Sequence, residues 1–120
     1  MSKLLAAVVS SVVLAAGALP ALAHHSAAQF DFAQSVTVKG TVKHIRVANP
    51  HMELVLEVSD AKGRHDVQFE GHSANNVYRL GWRKDMVKDG DNLTIVIAPK
   101  RDGSDGGYVK KVTTADGKTF

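Results

Sequence analysis

Apolar residues recur at every second position in five short runs of this chain, a period that suits strands with alternating faces and suits no helix. In residues 35–47 the apolar positions are Val36, Val38 and Val42, with Gly40 in phase, and then the parity flips to Ile45 and Val47. A change of parity inside one long strand predicts a bulge or sharp coil near Lys43-His44. Asn49-Pro50 predicts a turn, because proline donates nothing to a ladder and asparagine favours turn conformations. Residues 51–58 then carry Met52, Leu54, Leu56 and Val58 on one face, with Glu53 and Glu57 on the other. Asp60-Ala61-Lys62-Gly63 has the composition of a hairpin connection. Beyond it, residues 64–70 alternate His65, Val67 and Phe69 against Asp66, Gln68 and Glu70.

The period changes after this three-strand meander. Ser73 is placed to cap a short helix over residues 74–80, which Gly81 would end. Val77 and Leu80, with Trp82 beyond the turn, should face the core, and Tyr78 and Trp82 should plug one end of the fold. Asp89-Gly90-Asp91 turns the chain into a fourth strand, residues 92–98, with Leu93, Ile95 and Ile97 in phase. A polar loop at 99–107 and a fifth strand at 108–114 precede the Asp116-Gly117 turn. Three meander strands, one short helix and two more strands is the order of a mainly β, five-stranded OB-type barrel, whose bent first strand serves both halves. A small open β-sandwich is the alternative.

The residues ahead of the first strand read differently. Lys3, the uncharged run 4–19, Pro20 and Ala21-Leu22-Ala23 make the three parts of a secretory signal peptide ending in an A-x-A cleavage site. Ser10, Ser11 and Gly17 interrupt the run, which falls short of the ~20 strongly apolar residues of a stable span. The expected organisation is a signal peptide at 1–23, an N-terminal segment at 24–34 and one OB-like barrel domain at 35–120. The mature protein would be periplasmic, with no membrane span left after cleavage; a cut after Ala28 is the alternative site. Removing 23 residues from 120 leaves 97, which is one domain with a limited core. There is no cysteine, so no disulfide can staple it. Without Lys3 the chain keeps 14 basic against 12 acidic residues, and this balance argues against nucleic acid as a partner.

Six histidines are the main chemical feature. If cleavage follows Ala23, the new α-amino group and the His24 imidazole sit on one residue and can chelate one ion. Cu(II) is the metal that favours such nitrogen ligands in tetragonal geometry. His25 adjoins this chelate, and His51, presented by the Asn49-Pro50 turn, is the preferred third ligand. His44, His65 and His72 are alternates, although His65, on the apolar phase of its strand, reads better as a semi-buried histidine with its hydrogen bonds met. No zinc spacing and no G-x-S-x-G elbow is present. Gly103-Ser104-Asp105-Gly106 reads as a turn, and Lys100-Arg101 and Lys110-Lys111 as solvated charge.

Several local elements together resemble a known pattern. They are Ala23-His24-His25-Ser26, Phe30-Asp31, Gly40-Thr41-Val42, Asn49-Pro50-His51, Asn75-Asn76 leading to Leu80-Gly81-Trp82, Gly90-Asp91 and Asp116-Gly117. The pattern is that of a family of small exported bacterial proteins, a domain of unknown function, and the likeness spans nearly all of residues 23–120. The family carries an aromatic shortly before its Asn-Pro-His element, where this chain has Val47-Ala48. The resemblance implies export and an OB-like fold, and supplies no catalytic residues.

Three functions follow as expectations. The first is a non-enzymatic periplasmic binding protein taking Cu(II) or another divalent metal through His24, His25 and His51. The second is an accessory domain that contacts a periplasmic partner protein without metal. The third is a copper-dependent redox enzyme, which the absence of a nucleophile–base pair ranks last.

Overall fold

The computed structural model describes residues 27–120, so the signal-peptide and His24-His25 readings lie outside the described residues. A 3-10 turn, Ala27–Gln29, leads into β1 (Val36–Arg46), β2 (Glu53–Asp60), β3 (Gly63–Glu70), α1 (Ala74–Arg79), β4 (Asn92–Pro99) and β5 (Gly107–Thr114). The strands close in the order β1-β2-β3-β5-β4, with β4 returning to β1. All neighbours are antiparallel except β3 and β5, which meet in parallel at Glu70 and Tyr108. This is a five-stranded OB-type barrel with its short helix between β3 and β4.

Closure depends on β1 serving two partners. Its first half pairs with β4, from Val36 opposite Ile97 to Thr41 opposite Asn92, and its second half pairs with β2 from Thr41 onward. The register with β2 slips between Val42 and His44, where the parity flip in the sequence placed the bulge. The extra residue lets Val42 and Ile45 both turn inward although they are three positions apart. Gly40 sits just before the switch, and a Cβ there would lie 2.7 Å from the Glu57 carbonyl oxygen.

The interior collects the alternating side chains as expected. Leu54 and Leu56 from β2 and Ile95 from β4 are fully buried, with Val67, Phe69, Leu93, Ile97, Val109 and Val112 around them. The opposite face of β2 carries ion pairs instead, Arg46 with Glu53 and Arg64 with Glu57. Pairs so open to solvent add little to stability.

The helix obeys its cap and departs at its end. Ser73 Oγ accepts a hydrogen bond from the Asn76 N–H at 3.3 Å, and Val77 points into the core. Leu80 does not: it is 51% exposed, and Trp82 is 7% exposed. The helix stops at Arg79, Gly81 takes a φ of 108°, and the Trp82 N–H donates to the Val77 carbonyl. The indole thus joins the core cluster while Leu80 stays outside it. Tyr78 is also outside, packing edge-on against Trp82 at 5.2 Å between ring centroids.

Residues 27–35 lie on the barrel wall. The Asp31 N–H donates to the Pro99 carbonyl at 2.8 Å, and Phe30 bridges to Lys100 and is 2% exposed. Two of the basic residues read as solvated charge hold this segment. Arg101 Nε donates to the Ala28 carbonyl at 2.9 Å, and Lys110 Nζ donates to Ser35 Oγ at 2.8 Å. No helix among the described residues is long and apolar enough to cross a membrane.

Candidate functional site

The handover of β1 from one partner to another leaves a seam in the barrel wall. Pairing between β1 and β2 begins at Thr41 and Glu57, whereas the β2–β3 hairpin runs on to Asp60 and Gly63. Between the first half of β1 and the end of this hairpin lies a cleft of about 440 Å³. Val38, Val58, Val67, Phe69 and Ile97 line it with apolar surface continuous with the core. Lys39, Ser59, Asp60 and the Ser104–Gly106 stretch of the β4–β5 loop form its polar rim. A second groove of about 440 Å³ crosses the outer wall, lined by Thr41, Asn92, Thr94, Thr113 and the Glu57–Arg64 pair. Its hydroxyls and charges are well served by water. The apolar cleft is served badly, which makes it the better ligand seat.

Two of the rim residues, Asp60 and Asp105, approach His65, whose hydrogen bonds are incomplete. Its Nδ1 is 3.2 Å from the Gly63 carbonyl oxygen. Its Nε2 is buried, 3.3 Å from Asp105 Oδ2 and 3.5 Å from Asp60 Oδ2, and makes no well-aligned hydrogen bond to either. The expectation of a satisfied semi-buried histidine therefore holds for one ring nitrogen only. Asp105 also approaches Lys62 Nζ at 3.5 Å, and Asp60 Oδ1 accepts the Lys62 backbone N–H at 2.8 Å. Within the same loop, Asp102 accepts hydrogen bonds from the Ser104 hydroxyl and N–H, which hold its carboxyl below the usual range. Close to the seam, hydrogen bonds from Arg64 and Lys43 hold the Glu57 carboxyl below its ordinary range.

A second cluster forms where residues 27–35 cross β5. Tyr108 stacks against Phe30 at 5.6 Å, Phe32 at 5.2 Å and His72 at 5.3 Å between centroids. Its hydroxyl is 3.0 Å from His72 Nδ1. Burial and the nearby Glu70 charge push the phenol above its ordinary range, and the tautomer of His72 sets which partner donates. Gln29 Nε2 donates to Glu70 Oε1 at 3.2 Å from the same segment.

The histidines singled out by the sequence are distributed as follows. His24 and His25 lie outside the described residues. His51 is half-buried, one residue before Met52, whose N–H donates to the His72 carbonyl at 2.9 Å. His51 and His72 thus leave the same end of the β2–β3 ladder, and it is His72 that packs in the aromatic cluster of residues 30–32. His44 is on β1 at the bulge, and His65 is beside the β2–β3 hairpin turn. No group of three or more His, Asp or Glu side chains among the described residues is arranged to hold a metal ion. Asp60 and Asp105 both sit in turn-like composition, which carries no sign of a shared site. The one signal there was His65 on an inward parity, which needs a polar partner that its own strand cannot supply.

Comparison with known proteins gives a family and one similar solved structure. A family model described as a family of unknown function, DUF6152, matches residues 11–110. Among curated proteins none matches. Among solved structures the chain is similar to Rim1, the mitochondrial single-stranded DNA binding protein of S. cerevisiae, at a TM-score of 0.48 and 9% identity. The likeness covers 71% of this chain and 97% of that one.

Proposed function

The chain belongs to DUF6152, a family of unknown function, and we propose that it is an exported, non-enzymatic binding protein whose barrel seam seats a small apolar ligand. The observation that carries this reading is the cleft of about 440 Å³, with seven apolar side chains from four strands in its lining and a polar rim. Water held against such a floor forgoes hydrogen bonds, so an apolar molecule of matching volume gains by displacing it. Export rests on Lys3, the uncharged run 4–19 and the Ala21-Leu22-Ala23 cleavage pattern.

The test uses the uncharged fluorophore N-phenyl-1-naphthylamine on the mature protein. Saturable binding of one equivalent is expected, and Val38→Glu, which sets a charge in the cleft, should weaken it at least about tenfold, or ~1.4 kcal/mol. A far-ultraviolet spectrum checks that the variant remains folded. Absence of saturable binding, or equal affinity in Val38→Glu, would remove the cleft as the seat.

The anchoring of residues 27–35 favours a second reading, in which His24 chelates Cu(II). Phe30 of this segment packs on Tyr108, which also contacts His72, and His51 leaves the barrel at the same end of the β2–β3 ladder as His72. Either imidazole could join the His24 amine and ring, with His25 adjacent. Mature protein should bind one Cu(II) in a spectroscopic titration, and His24→Ala should abolish it. A form retaining one residue before His24 should also fail, because its amine is displaced; equal binding by that form rules the chelate out.

A further inference from the structure

We propose that the seam holds an extended peptide of alternating apolar and acidic residues, paired as an added strand with the free edge of β1. This rests on the cleft as an apolar seat and names the class of ligand that brings the apolar groups to it.

Main-chain direction along β1 is set by Val42. Its N–H donates to the Asp91 carbonyl at 2.8 Å and its carbonyl accepts the Gly90 N–H at 2.7 Å, so its main chain faces the β4 side. These directions alternate along a strand, so Gly40, Val38 and Val36 also face β4, in register with Leu93, Ile95 and Ile97. Thr41, Lys39 and Thr37 direct their N–H and carbonyl groups to the opposite edge. There β2 pairs with β1 only as far as Thr41, opposite Glu57. Past that point Lys39 and Thr37 present their main chain to the seam, and no strand among the described residues pairs with it. Such an edge is a template for one more strand.

The two grooves are the two faces of this one gap, since Lys39 and Ser59 line both. On the inner face Val38, Val58, Phe69 and Ile97 make it apolar. On the outer face Thr41, Asn92, Thr94 and Thr113 make it polar. A strand sends successive side chains to opposite faces, so a segment lying in the seam meets apolar and polar surface at alternate positions. A free apolar molecule leaves the Thr37 and Lys39 main chain to water. An extended peptide pairs with that main chain and fills the cleft together. Charge then selects among peptides. Glu57 is engaged by Arg64 at 2.6 Å and by Lys43 at 3.2 Å. The exposed Lys39 gives the outer groove its excess positive charge, which favours glutamate or aspartate at the outward positions.

The test is fluorescence anisotropy of a labelled peptide of alternating glutamate and valine with the mature protein. The peptide is about seven residues long, enough to run the length of the free edge. Saturable binding of one equivalent is expected, and a peptide of the same composition arranged in two blocks should bind at least about tenfold more weakly. Thr37→Pro removes an N–H that faces the seam and lies outside the ladder with β4. Proline is tolerated at such an edge position, so the urea midpoint should hold. The peptide should bind this variant at least about tenfold more weakly, whereas N-phenyl-1-naphthylamine, which needs no main-chain partner, should bind as before. Should Thr37→Pro unfold, N-methylation of one or the other alternate set of peptide amides replaces it. Only one set faces β1, and methylating that set should give the same loss. Lys39→Glu should weaken the acidic peptide and favour its counterpart with lysine for glutamate. Equal affinity for the alternating and block peptides, or indifference to both N-methylated sets, overturns the proposal. Absence of peptide binding does so too, and the apolar seat then stands if the dye still binds. Failure of the dye with the peptide results intact removes the seat for a free small molecule and keeps the added strand. A dimer that Thr37→Pro dissolves would assign the edge to a second copy and overturn the proposal.

Discussion

Gly40→Val is expected to destabilise the barrel markedly, although strand preference alone predicts the opposite. Valine exceeds glycine in β-propensity, on a scale that spans about 1 kcal/mol, and Gly40 lies inside an 11-residue strand. Close approach reverses the sign. A Cβ at position 40 would sit 2.7 Å from the Glu57 carbonyl oxygen, 3.0 Å from Leu56 Cβ and 3.3 Å from Val58 Cγ1. The first two are main chain and the root of a fully buried side chain, so neither yields cheaply. Gly40→Ala should cost about 1–3 kcal/mol, and Gly40→Val should lie at or beyond the upper end of that range. Urea midpoints with an unchanged slope measure this. A midpoint for Gly40→Val equal to or above that of the unaltered protein would mean that β1 and β2 are not so close.

Phe30→Ala should have the next largest effect, and it tests whether residues 27–35 belong to the folded domain. Phe30 is 2% exposed, although it stands apart from the main core and packs on Tyr108 and Phe32 over the outside of the barrel. Truncating a buried phenylalanine costs about 3–5 kcal/mol. The lower end is expected here, because the space left can collapse or fill with water at the surface. The amide of Asp31, bonded to the Pro99 carbonyl, should lose its protection from exchange with it. If the second reading of the function holds, Cu(II) affinity should fall too, since the segment following His24 is released from Tyr108. A cost under about 0.5 kcal/mol would place the segment with ordinary surface substitutions.

Different parts of the molecule were legible to different degrees. The inward residues of β2 and β4 followed from period two, because adjacent side chains on a strand must point to opposite faces whatever surrounds them. The bulge followed in the same way from the parity of Val42 and Ile45. Leu80 did not, since its burial depended on how the chain left the helix at Gly81. The cleft was invisible for a related reason: Val38, Val58, Val67, Phe69 and Ile97 carry the pattern of ordinary core residues. Their exposure to a seam depends on where β1 leaves β2. Asp60 and Asp105 looked like turn residues, and their convergence on His65 joins a hairpin to a loop far along the chain.

By itself, then, the order of residues determined the element types, the bent first strand, the inward faces and through them the OB-type barrel. Each of these is set by neighbours within a few positions, where steric and hydrophobic preferences act locally. The tertiary structure alone decided the open seam, the stapling of Phe30 to Tyr108 and the placing of two carboxylates around one imidazole. Those depend on register and strand partnership, which bring distant residues together and which no local period encodes.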